Sequence, residues 1–119
     1  MRHPQVMDPS TQRLIDFVRA RIIEDHEVAA QAIQGFDVEV VAATTSSVHA
    51  DFVRRFDPSW VLEECALKGK MVDMEVEDAE MAEALGQGPH GFTRTRSMAT
   101  AWTRHPEFDL EWMTPRQRT

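Results

Sequence analysis

A chain of 119 residues, 42% apolar and 28% charged, has the length of one domain and enough apolar material for a core, which excludes a disordered tail. No apolar run approaches the roughly 18 to 20 residues that span a bilayer, and residues 1–10 lack the apolar centre of a signal peptide, so a cytoplasmic location without membrane contact is expected. The net charge of −7 opposes binding to nucleic-acid phosphates, and the single cysteine, Cys65, excludes an internal disulfide and any zinc site built on two or more thiolates.

Asp8-Pro9 opens the first helix: the aspartate can accept from free backbone N–H groups, and proline is pre-shaped for the first helical position. Leu14, Phe17, Val18, Ile22, Val28, Ala29 and Ile33 then recur at helical steps, and Gly35 supplies a stop, which predicts a helix over 9–34. Over 36–43, Val38, Val40 and Val41 alternate with Asp37 and Glu39, the pattern of a half-buried strand, although a lone strand needs a partner to satisfy its backbone. Capping hydroxyls at 44–47 precede Val48, Phe52, Val53 and Phe56 on one face of a short second helix.

Asp57-Pro58 repeats the opening device and starts a third helix, in which Leu62, Cys65, Gly69, Val72, Val76 and Ala79 step by three and four in alternation. That seam is the expected interaction surface, with close packing against a neighbouring backbone at Gly69. Gly86, Gly88, Pro89 and Gly91 form a loop, a last helix is expected over 93–104, and the aromatic-ended tail 108–112 docks. The expected architecture is mainly α. It is a single helical domain over 1–119, a long antiparallel helical hairpin plus two shorter helices, with at most one short β segment near 36–43 and flexible ends at 1–8 and 113–119. A third helix of about 28 residues would be about 42 Å long, more than the roughly 35 Å of a compact sphere of this mass, so either it kinks near Gly69 or a second copy of the chain covers its seam.

Three blocks carry a family resemblance: 17–25, reading Phe17-Val18-Arg19-Ala20-Arg21-Ile22-Ile23-Glu24-Asp25; a middle block from His49 through Asp57-Pro58, Val61-Leu62, Glu64, Lys68 and Val72-Asp73; and Ala101, His105-Pro106, Phe108 and Glu111-Trp112 near the end. In this order they resemble a family of small uncharacterised actinobacterial and actinophage proteins, a domain of unknown function. The resemblance implies a helical fold and a phage or mobile-element setting, hence a host cytoplasm, and no chemistry. Many relatives carry a cysteine cluster between the third and last helices; here an acidic stretch and the glycine loop stand in its place, so no metal role carries over.

The five histidines include no pair at the four-residue spacing that puts two imidazoles on one helix face. His49 and His105 lie in the resembling blocks and, with Glu64 or Asp73, are the candidates for a metal-dependent hydrolase or nuclease; capping or carboxylate-bonded histidines are the structural alternative. Cys65 sits on the seam, where a thiol behaves as a small apolar group. Trp60, Trp102 and Trp112 with Arg94, Arg96 and Arg104 make the nucleic-acid alternative, through the 94–104 helix. Eight acids against two lysines over 62–84 read as a solvated face, or as an acidic surface for a basic partner. With no assembled catalytic constellation, the leading expectation is a non-enzymatic protein-interaction or regulatory factor, needing no cofactor, whose partner is another protein or a second copy of itself.

Overall fold

Both Asp-Pro pairs cap as the sequence requires. Asp8 Oδ1 accepts from the Thr11 N–H at 2.7 Å at the start of helix α1 (Pro9–Ile33), and Asp57 Oδ1 accepts from the Trp60 N–H at 3.0 Å at the start of helix α4 (Pro58–Ala84). The computed structural model describes residues 8–34, 37–43, 46–55 and 57–113, without the side chains of 38, 52, 53 and 55. The expectations for 1–7, Gly35, Phe36, 44–45, Phe56 and 114–119, and for the side chains of Phe52 and Val53, therefore lie outside the described residues.

Between the long helices stand α2 (Val38–Ala43) and α3 (Ser47–Arg55); α5 (Thr93–Ala99) comes after α4, and 3-10 turns occupy Thr100–Trp102 and Leu110–Trp112. No strand occurs among the described residues. The alternation at 36–43 is overruled by a cap: Asp37 Oδ1 accepts from the N–H groups of Glu39 and Val40 at 3.0 and 3.3 Å, and the Val41 N–H donates to the Asp37 carbonyl. A short helix with a side-chain cap meets part of its backbone hydrogen bonding locally, where an isolated strand meets none. Ser46 performs the same service for α3, its Oγ accepting from the His49 N–H. The last helix is shorter than 93–104, because α-geometry ends at Ala99 and tightens into a 3-10 turn.

The chain divides into two compact units, Met1–Ala20 with Lys68–Thr119, and Arg21–Leu67, and the long helices α1 and α4 each contribute to both. In unit 1 the first part of α1 packs antiparallel to the last part of α4, joined by the Arg19–Asp73 ion pair at 2.8 Å. Its core holds Leu14, Ile15, Phe17 and Val18 of α1, Val72 and Ala79 of α4, and Phe92, Thr95, Ala99 and Trp112 from the C-terminal third of the chain. In unit 2, Ile22, Ala29, Ala42, Ala50 and Cys65 are buried, and Arg54 reaches from α3 to both carboxylate oxygens of Glu39 on α2 at 3.3 Å.

Two glycines behave differently. Gly86, at φ 70°, closes α4 with a double bond pattern: its own N–H donates to the Glu83 carbonyl, and the Gln87 N–H donates to that of Ala82. The left-handed backbone there suits a residue without Cβ. Gly69, by contrast, has none of the described residues within 4 Å of where a Cβ would stand, so the expected close approach of a neighbouring backbone does not occur among them. No helix among the described residues is long and apolar enough to cross a membrane.

Candidate functional site

Asp109 organises the C-terminal turn of unit 1. Its Oδ1 accepts from the Glu111 N–H at 2.9 Å, capping Leu110–Trp112, while its Oδ2 accepts from Arg13 Nη2 on α1 at 3.1 Å. The turn so formed lays Trp112 against Phe17, with ring centroids 5.0 Å apart. Phe17 is the hub of an aromatic cluster: Trp102, His105 and Phe108 meet it edge-on at 6.3, 5.4 and 6.0 Å. Such edge contacts place positive ring edges on negative faces. Lys68 Nζ stands 5.7 Å from the centroid of the Trp102 ring, within reach of a cation–π attraction.

Beside this cluster runs a cleft of about 440 Å³ lined by Arg13, Asp16, Phe17, Ala20, Glu107, Asp109 and Trp112. Its rim is acidic, with three carboxylates against one guanidinium, and that guanidinium is ion-paired to Asp109. Its aromatic walls are almost wholly covered, Phe17 at 6% and Trp112 at 3% exposure, so the ring faces are taken up by one another.

A second polar constellation lies at the start of α5. Glu75, on the buried side of α4, accepts from the Arg94 N–H at 3.1 Å, from the Thr95 N–H at 2.8 Å and from Thr95 Oγ1 at 2.6 Å. The carboxylate thus satisfies the N-terminal donors that Phe92, the capping residue, leaves open. Phe92 takes a left-handed backbone, φ 52°, unusual for a bulky residue, and its N–H donates to His90 Nδ1 at 3.0 Å. Its ring is 1% exposed, so burial holds the strained backbone in place.

The residues singled out from sequence are spread over both units. His49 is exposed on α3 and Glu64 half-buried on α4, both in unit 2. His105 is in unit 1, its ring against Phe17 and its Nδ1 accepting from the Glu107 N–H at 3.1 Å, a turn-capping role. Asp73 is paired to Arg19. Among the described residues no three His, Cys, Asp or Glu side chains gather where they could hold a metal. On the α4 seam Cys65, Val72 and Ala79 are buried and Leu62, Gly69 and Val76 half-buried. Of the nucleic-acid candidates, Trp102 is half-buried and Trp112 buried, both within the Phe17 cluster, while Trp60, Arg94 and Arg104 are exposed and Arg96 is half-buried. Sequence reading missed Glu75 and the Arg13–Asp109 pair. Glu75 is one acid in a run of acids, and its partners lie 19 and 20 residues away. Asp109 before a short turn did carry a signal, the same Asx cap that opens α1 and α4.

A helix pair closed by a docked aromatic turn defines a small all-α module. The chain belongs to a family of unknown function (DUF6221), whose model matches residues 11–114. No curated protein and no solved structure matches it.

Proposed function

We propose that the chain is a non-enzymatic accessory or regulatory protein that works by presenting helical surface to a protein partner. The observation that supports this reading is a line of large apolar side chains exposed at the end of α4: Met74, Met81 and Leu85 are spaced by seven and four residues and are 49%, 61% and 64% exposed. Single exposed apolar residues are ordinary, but a periodic series along a helix is the arrangement that another helix reads. The family resemblance implies a phage or mobile-element setting for this role.

Native affinity purification of the tagged chain from its host, followed by mass spectrometry, tests the reading. A protein recovered in stoichiometric amount supports it; recovery of the chain alone, with and without prior cross-linking, rejects it.

A further inference from the structure

Within unit 1, the acids of α4 sort into two groups. Asp73 is ion-paired to Arg19, and Glu75 is buried beneath α5 as its cap. Glu77, Asp78, Glu80 and Glu83 are exposed and, among the described residues, have no ion-pair partner. At 100° per residue Glu77 and Asp78 flank the line through Met74, Met81 and Leu85, with Asp78 on one side and Glu77 on the other, while Glu80 and Glu83 lie away from it. Those three apolar side chains are 49%, 61% and 64% exposed. Residues 72–85 contain no lysine or arginine. The result is an apolar line about three turns long, rich in methionine and bordered by uncompensated carboxylates.

Deepening the proposed function and resting on it, we infer that this face of α4 is the docking site for a basic amphipathic helix of the partner protein. Methionine is flexible and polarizable, so it adapts to varied apolar side chains. Glu77 and Asp78 complement lysine or arginine at the edges of the incoming helix's apolar stripe, which steers and orients it. A second copy of the chain is a poor occupant, because its own acidic stretch would face this one. Among the described residues there is no strand edge for an extended peptide to join. A helix laid along the α4 ridge fits the geometry that remains.

The test uses the full chain and a labelled synthetic Leu/Lys amphipathic helix of about 18 residues, with a Lys/Ser peptide of equal charge as comparison. Fluorescence anisotropy should give micromolar binding of the Leu/Lys helix and at least tenfold weaker binding of the Lys/Ser peptide. Met74→Ser with Met81→Ser should weaken binding about tenfold or more, and Glu77→Gln with Asp78→Asn should weaken it several-fold and flatten its salt dependence. Glu27→Gln with Glu63→Gln removes equal charge elsewhere and should change affinity less than about twofold. All of these positions are exposed, and melting curves check that each variant folds. Equal affinity for both peptides, an effect of the Glu27/Glu63 pair equal to that of the Glu77/Asp78 pair, or no loss in the methionine variant overturns the inference. So does light scattering that shows a wild-type dimer made monomeric by the methionine substitutions, since the occupant would then be a second copy. A native partner that co-purifies equally with the methionine variant overturns this site while leaving the proposed function standing; the absence of any native partner overturns the function itself.

Discussion

The described residues buried in the two units differ in size. Unit 1 covers large side chains, Leu14, Ile15, Phe17, Val18, Phe92 and Trp112, whereas three of the five buried apolar residues described in unit 2 are alanines. Among the described residues, seven of the eleven exposed large apolar side chains belong to unit 2: Ile23, Val28, Ile33, Val40, Val48, Trp60 and Leu67. Burial free energy scales with apolar area, at roughly 25 cal/mol per Å², so each large side chain buried in unit 1 contributes more than a buried alanine does. Amides of 72–79, in the interior of a 27-residue helix, should outlast those of the six-residue α2 in hydrogen exchange, and equal protection would break the contrast.

Substitutions sharpen it by degrees. Phe92→Ala should have the largest effect, a loss of about 3 to 5 kcal/mol in urea unfolding, because the ring is fully buried. Glu75→Ala should come next at about 2 to 3 kcal/mol, since it leaves the Arg94 and Thr95 N–H groups and the buried Thr95 hydroxyl without acceptors. Gly69→Ala should raise stability by up to about 1 kcal/mol, as the helix gains a better former and none of the described residues stands where the methyl would go. Arg54→Ala should cost less than about 1 kcal/mol, for its pairs with Glu39 and Asp51 are solvent-exposed.

The smallest expected effect concerns Asp8, whose carboxyl is held below its ordinary pKa first by the Thr11 backbone N–H and then by the Thr11 hydroxyl. A folded-state pKa below the unfolded one stabilises fully above the ordinary aspartate range, and that contribution drains away as pH falls through the folded value. Asp8→Asn should therefore melt slightly lower than the natural chain near neutral pH, with the gap closing in acid. A gap that widens in acid would contradict this origin.

Much of this architecture is legible wherever one residue acts on its near neighbours. Asp8, Asp57 and Ser46 reach backbone N–H groups three residues on, and the loop glycine Gly86 closes the helix before it, so helix boundaries can be read from local chemistry. The misreading at 36–43 has the same root: alternating valines outweighed the capping power of Asp37, although six residues are too few for periodicity to decide between helix and strand. The candidate site was harder to see. Glu75 looks like any acid on a solvated face until α5 folds over it, and Phe17 looks like any helix core residue until four rings from 102–112 surround it. Which acids remain free on α4 is settled by those same distant partners.

In Asp109, one carboxylate both winds the final turn and fastens it to Arg13. Loss of that single carboxylate would therefore weaken the shape of the last turn and its tie to the first helix together. The indole of Trp112, packed on Phe17 beside that turn, would report such a loosening.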